Sequence, residues 1–290
     1  MRVAVVGLGG VGGYIAAMLA KSGVDVSGFA RGTHLKKIQQ NGLKVIEDER
    51  SWRVDIDAKE LEEAEGYFDI VLFCVKSYDL EDVCTQILNH TDSDTIMISF
   101  SNGVSNAQKL TKLSDAVVLE GVVYILSHIE EAGVIRKKGK VFAAVFGGDD
   151  KAADTLKEIF DQANLRTKIP KDIKTALWKK YIFISAFATL TSYYDKSIGY
   201  VYEHHRDEAY EVLKEIVDVA HAKGIEISEE IDKSLDVASK VPYESSTSMH
   251  LDFQKGKRAE IETLSGYVVQ EAQKYNIQVP LMYKMYDKLL

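Results

Sequence analysis

At 290 residues, with 46% hydrophobic and 28% charged side chains, the chain has the composition of a folded globular protein and enough length for two cores. A net charge of −8 argues against a broad nucleic-acid footprint, which needs clustered Lys and Arg, and a count of two cysteines, Cys74 and Cys84, argues against a disulfide framework. Met1-Arg2 runs directly into Val3-Ala4-Val5-Val6 without a secretory apolar segment, and the most apolar run, residues 181–188, is too short to span a bilayer, so a cytoplasmic protein is expected.

From Arg2 to about Ile169, short apolar runs alternate with amphipathic segments, the pattern of strands and crossover helices in a parallel sheet. Strands are predicted at residues 2–6, 25–29, 70–75, 95–100 and 117–123. Between the second and third, residues 43–46 and 53–56 flank the polar Asp48-Glu49-Arg50 and read as a small antiparallel excursion. Three more β-like runs, 122–128, 133–136 and 141–146, predict an antiparallel extension on one sheet edge. After Ile169-Pro170 the spacing turns helical, clearest in Ala209, Val212, Leu213, Ile216, Val217 and Ala220 before the stop at Gly224, and Pro242 and Pro280 mark helix boundaries. The predicted fold is α/β: a Rossmann-type doubly wound parallel sheet over residues 1–169, followed by an all-helical domain over residues 170–290.

Gly7-Leu8-Gly9-Gly10-Val11-Gly12 matches G-x-G-x-x-G directly after the first predicted strand and before a helix over residues 11–22. In that context Gly7 permits a tight turn, Gly9 lets backbone approach a pyrophosphate, and Gly12 lets helix and strand pack closely, with the anion at the helix N-terminus. An acidic residue ending the second strand would bond the ribose 2′-hydroxyl of NAD; this chain has Gly28-Phe29-Ala30-Arg31 instead. Arg31 is thus placed to meet a 2′-phosphate, with Lys76 a second candidate on the same carboxyl edge, and NADPH is the expected cofactor. The alternative for Arg31 is a solvated helix start shared with Lys36 and Lys37.

Two loops on the ligand-binding edge carry further polar chemistry: Lys76-Ser77-Tyr78, and Ser101-Asn102-Gly103-Val104, in which Asn102 can present an amide to a ribose or substrate or simply form an Asn-Gly turn. His204-His205 has no partner spacing for a metal, so a polar helix start is expected there, and Tyr193-Tyr194, Tyr200 and Tyr202 read as packing residues.

With Leu177-Trp178-Lys179-Lys180, Ser248-Met249 and Glu260-Ile261-Glu262 added in order to the glycine motif, Arg31, Val75-Lys76-Ser77 and the Asn102 loop, the chain resembles the ketopantoate reductase family (2-dehydropantoate 2-reductases) over nearly its whole length. The resemblance implies that Lys180 is the general-acid lysine, Glu260 a carboxylate contacting substrate and lysine, Ser248 the substrate-binding serine, Asn102 a substrate- and ribose-binding asparagine, and Lys76 a cofactor-binding lysine. It implies a helical domain like that of 6-phosphogluconate dehydrogenase, with the site in the cleft between domains. The implied activity is NADPH-dependent reduction of 2-dehydropantoate or a related 2-oxo acid to the 2-hydroxy acid, a step of pantothenate and coenzyme A biosynthesis.

The chemistry stands by itself as well. Hydride delivery to a ketone builds negative charge on oxygen, which a positioned ammonium stabilises and then protonates. Without the resemblance, Lys179 and Lys180 would read as a solvated pair on a helix. The chain departs from the family where it commonly shows asparagines four and eight residues after the lysine: here stand Ile184 and Ala188. That departure favours a reductase of a less polar oxo acid as the alternative activity. A non-catalytic NADPH-binding sensor needs neither Lys180 nor Glu260. The expected partner is the small-molecule substrate, and apolar residues of the helical domain can support a homodimer.

Overall fold

A computed structural model describes every residue from Met1 to Leu290. Ten strands form one sheet: β1 (Arg2–Val6), β2 (Asp25–Phe29), β3 (Leu43–Glu47), β4 (Arg50–Val54), β5 (Asp57–Lys59), β6 (Ile70–Phe73), β7 (Ile96–Ser99), β8 (Val117–Glu131), β9 (Val134–Gly147) and β10 (Thr167–Lys168). Their order is β4-β3-β9-β8-β7-β6-β1-β2-β5, with β10 paired to β9. From β8 to β5 every neighbouring pair is parallel, and the chain winds outward in both directions from β1. The reversal of direction between β1 and β6 is the switch point at which open α/β sheets bind ligands.

The two faces of the sheet follow from the two-residue period of a strand. Val3 and Val5 of β1, with Ile70 and Leu72 of β6, bury against helices Gly10–Lys21 and Asp150–Gln162. Ala4 and Val6, with Val71 and Phe73, bury on the opposite face with Leu80, Cys84 and Leu110 of helices Leu80–Ile87 and Asn106–Leu113. This is the doubly wound arrangement read from the sequence.

The antiparallel extension is longer than the apolar runs suggested. Residues 117–123 and 122–128 are one strand, β8, and residues 133–136 and 141–146 are one strand, β9, even though the polar Lys137-Lys138-Gly139-Lys140 lies between them. The reason is pairing on either side of the polar stretch: β8 and β9 run antiparallel from Glu120↔Gly147 to Ile125↔Phe142 and again from Ser127↔Lys137 to Glu131↔Val134, while residues 138–141, with Gly139 at φ +67°, bulge out opposite Leu126. The β3–β4 hairpin is antiparallel as expected, and it joins the sheet beside β9. The three-residue edge strand β5, parallel to β2, had no signal in the sequence.

The chain divides into two compact units: Met1–Ser101 with Ser105–Ile173, and Asn102–Val104 with Lys174–Leu290. The second unit is helical. Its apolar core is built from helices Ile173–Tyr194, Ile198–His204, Arg206–Ala222, Glu230–Lys240, Tyr267–Tyr275 and Pro280–Leu289. Gly224, at φ +76°, ends the Arg206–Ala222 helix as read, with the Ile225 N–H donating to the Ala220 carbonyl, and Pro280 opens the last helix. No helix is long and apolar enough to cross a membrane.

Candidate active site

In the first unit, the loop after β1 is shaped by close approaches that only glycine allows. Gly7 lies at φ +97°, and both its N–H and that of Leu8 donate to the Phe29 carbonyl (2.9 and 3.2 Å), closing the turn onto the carboxyl end of β2. A Cβ on Gly12 would stand 2.1 Å from the Gly7 carbonyl oxygen and 2.6 Å from the Cys74 Cβ, so helix Gly10–Lys21 packs against the loop and the end of β6 with no room for a side chain. At Gly9, the extended residue before that helix, nothing lies within 4 Å of a built Cβ. The helix opens with no side-chain cap and no acidic residue in its first turn. An uncapped helix N-terminus with open space at Gly9 fits the pyrophosphate of a dinucleotide. Leu8, Gly10 and Val11 complete this turn; the Leu8 side chain is buried beneath it.

A cavity of about 280 Å³ adjoins the loop, lined by Gly7, Gly9, Arg31, His34, Glu62 and Asp82 among others. Arg31 stands just before helix Gly32–Asn41, its side chain 82% exposed, 3.6 Å from the Asp79 carboxylate. His34 sits one turn further on: its Nε2 contacts the Leu8 carbonyl (2.9 Å) and its Nδ1 accepts from the Gly133 N–H (3.0 Å). Lys76 is half-buried in the loop after β6, its carbonyl accepting from the Asp79 N–H (2.9 Å). Ser101 Oγ donates to the Val75 carbonyl (2.6 Å), tying the loops after β6 and β7 together. A larger cavity, about 1010 Å³, lies along β3, β4 and β9; its buried Lys137 donates to the Gly139 carbonyl (2.8 Å) and lies 3.6 Å from Glu47.

In the second unit the helix Ile173–Tyr194 separates the two lysines. Lys179 lies at the surface with Glu229 Oε1 (2.8 Å) and Glu230 Oε1 (3.5 Å), which hold its ammonium above the ordinary lysine range. Lys180 turns inward: burial pushes its pKa down to about 8, while the charge of Glu260 pulls it back up. Glu260 is itself only 4% exposed. Ile184 and Ala188 continue the Lys180 face at four-residue steps.

The adjacent face of the same helix holds the segment that follows Glu260. Residues Glu262–Gly266 form a π-helical turn, whose wider i→i+5 pattern displaces carbonyls from their regular partners. Tyr181 donates to the Leu264 and Thr263 carbonyls (2.6 and 3.1 Å), Ser185 donates to Leu264 (2.9 Å), and Thr189 and Ser265 share a hydrogen bond of 2.7 Å. One helix therefore carries Lys180 on one face and, on the next, the hydroxyls that fix the segment just after Glu260.

Ser248 is the first residue of helix Ser248–Gln254 and is exposed. The loop before it is anchored twice: Thr247 to Thr191 (2.9 Å), and Ser246 to His250 Nδ1 (2.7 Å), whose Nε2 meets Asp195 Oδ1 (2.8 Å). Asn102 belongs to the same compact unit as Lys180, Ser248 and Glu260, with Val104 packed on its core, although in chain order the tripeptide follows β7. His204 and His205 stack on Tyr200 and Tyr194, with ring centroids 4.1 and 3.7 Å apart. Three features had no signal in the sequence reading: His34, the Tyr181 and Ser185 ties, and the His250 bridge. The only available hint was a four-residue spacing of hydroxyl residues at Ser185 and Thr189.

Compared with known proteins, the chain matches the family described as Ketopantoate reductase PanE/ApbA over residues 3–148 and that described as Ketopantoate reductase PanE/ApbA C terminal over residues 172–289. It is 28% identical over 298 residues to the uncharacterized oxidoreductase YkpB of Bacillus subtilis, with 100% of this chain and 98% of that protein covered. Among solved structures it is similar to a PanE/ApbA family ketopantoate reductase from Ralstonia eutropha JMP134, with a TM-score of 0.93 at 28% identity and coverage of 100% and 97%. It is also similar to 2-dehydropantoate 2-reductase from Porphyromonas gingivalis W83, with a TM-score of 0.86 at 32% identity and coverage of 100% and 99%.

Proposed function

The chain belongs to the ketopantoate reductase family of oxidoreductases, and from that premise we propose that it uses NADPH to reduce 2-dehydropantoate or a close 2-oxo acid to the 2-hydroxy acid. The observation that carries this reading is the contrast within one lysine pair: Lys180 is drawn into the unit with Glu260, while Lys179 is held at the surface by Glu229. An ammonium whose pKa falls to about 8 still carries its proton at neutral pH and gives it up more readily than an exposed lysine.

The nicotinamide, when bound, supplies the hydride. The glycine-rich turn binds the pyrophosphate through backbone N–H groups, and Arg31 and Lys76 meet the 2′-phosphate and its surroundings. Lys180 holds its proton at Nζ beside the substrate carbonyl oxygen, stabilises the charge that develops there and then donates the proton. Glu260 holds the ammonium in place and accepts from a substrate hydroxyl. Ser248 and Asn102 fix the substrate's remaining polar groups.

Ile184 and Ala188 favour a second reading within the same chemistry. An apolar wall one and two turns beyond Lys180 offers nothing to a substrate hydroxyl, and a buried polar group that loses its partner costs about 1–3 kcal/mol, or up to roughly a hundredfold in kcat/KM. We therefore expect 2-dehydropantoate to be reduced measurably and its analogue lacking the hydroxyl at least as well. The test is steady-state turnover with NADPH on both acids, for the natural chain and for Ile184→Asn with Ala188→Asn. Absence of NADPH oxidation with every 2-oxo acid tried rejects the reductase assignment; a strong preference for 2-dehydropantoate that the asparagine variants abolish rejects the account of the apolar wall.

A further inference from the structure

We propose that His34 is a positioning residue for the dinucleotide, which orients the Leu8–Gly9 peptide by binding the Leu8 carbonyl so that the Gly9 N–H faces the pyrophosphate. The inference rests on the reading of the glycine-rich turn as a nicotinamide dinucleotide site, and adds to it a side chain outside the glycine motif.

The argument starts from the ring. The Gly133 N–H can only donate, so His34 Nδ1 is the acceptor at 3.0 Å; the ring's proton is then on Nε2, where it donates to the Leu8 carbonyl at 2.9 Å. Burial pushes the His34 pKa below its ordinary value, against the upward pull of the Leu8 carbonyl, and both bonds suit the neutral ring. Gly133 is itself held: it lies at φ +80° in the turn from β8 to β9, and its carbonyl accepts from the Lys44 N–H (3.0 Å). The imidazole therefore links the dinucleotide loop to a fixed point in the sheet, from a helix that begins right after Arg31.

Planarity of the peptide carries the consequence across. In a trans peptide the C=O and the following N–H point in opposite directions. A bond that draws the Leu8 oxygen toward His34 aims the Gly9 N–H the other way. The bonds from Gly7 and Leu8 N–H to Phe29 fix the preceding peptides and leave this one to His34. Glycine at position 9 makes a flipped peptide accessible, because glycine reaches both signs of φ without steric cost. A flipped peptide would turn a carbonyl oxygen toward the phosphates.

The experiment measures NADPH binding by nicotinamide fluorescence, together with inhibition by adenosine 2′-phosphate, which has the ribose phosphate but no pyrophosphate. His34→Ala should weaken NADPH roughly tenfold, the size of one lost hydrogen bond in a site, with kcat at saturating NADPH nearly unchanged. Inhibition by adenosine 2′-phosphate should stay within about twofold. His34→Gln, whose amide offers one acceptor and one donor, should recover most of the loss. If NADPH affinity is unchanged in His34→Ala, or if both ligands weaken together and glutamine restores neither, the histidine is only a structural tie and the proposal is overturned. Should the natural chain bind neither NADPH nor NADH, the dinucleotide reading itself falls and this inference with it.

Discussion

Lys180 owes its role to where its proton sits. Its pKa is depressed from the ordinary lysine value to about 8, so the charged, proton-donating form dominates below that pH and is lost as pH rises through it. We predict that kcat/KM for reduction is level below about pH 8 and falls above it. Because the Glu260 charge raises the Lys180 pKa, Glu260→Gln should move the alkaline fall to lower pH, and an unmoved profile would show that another group titrates there. Lys180→Ala should lower kcat by about 10²–10⁴ with NADPH affinity nearly intact, whereas Lys179→Ala, which removes only a surface pair, should change kcat little. At the cofactor's other end, Arg31→Ala is expected to weaken NADPH far more than NADH, since a charge-assisted bond to phosphate contributes about 1.5–3 kcal/mol. The exposed 3.6 Å contact with Asp79 is too weak to hold the guanidinium back. Equal losses for both cofactors in titrations would remove the 2′-phosphate from the account. The two lysines were indistinguishable by pattern alone, because helical spacing places neighbours about 100° apart without saying which faces inward. The resemblance chose Lys180. His34 was silent because one histidine in a polar helix start has no periodic or motif partner.

Elements whose identity rests on apolar period were readable; those that rest on hydrogen bonding were not. Strands β1, β6 and β7 show as apolar runs because each is buried on both faces, while β2, with only Val26 and Phe29 as large apolar residues, is marked chiefly by its place after the Gly23 helix stop. The two halves of β9 are one strand because β8 pairs with both, across a bulge at residues 138–141, and β5 is three residues long with nothing to distinguish it from a loop. The π-helical turn Glu262–Gly266 is the extreme case: nothing in its sequence distinguishes it from an ordinary helical turn, and the hydroxyls of Tyr181, Ser185 and Thr189 on another helix tie it in place. Removing Tyr181 and Ser185 as donors takes both side-chain hydrogen bonds from the buried Leu264 carbonyl. The double variant Tyr181→Phe with Ser185→Ala should therefore lose about 1–3 kcal/mol in urea unfolding, and should lower kcat more than it alters NADPH affinity, since the segment adjoins Glu260 and not the cofactor loop. A double variant as stable as the natural chain would mean that the turn satisfies its own carbonyls.

Across the whole chain, the apolar residues of the sheet and those of the helical unit form separate clusters, so each unit has its own core. The last crossing between the units lies at Ile173/Lys174, and strand signals in the sequence end at Pro170. The membership of Asn102–Val104 in the helical unit was hidden, since Asn-Gly reads as a turn wherever it occurs and only the packing of Val104 says otherwise. The backbone thus leaves the first unit after Ser101, lends three residues to the second, and returns at Ser105 before leaving finally at Ile173. Two bodies joined by a single linker can melt independently. Here, loss of the helical unit frees a loop at the carboxyl end of β7, and that loop is tied through Ser101 to the end of β6, beside the glycine-rich turn. Scanning calorimetry should accordingly record one cooperative transition, raised as a whole by saturating NADPH in the manner of any ligand that binds only the native state; two resolved transitions, with the nucleotide shifting just one, would mean that the loan of three residues leaves the units thermally independent.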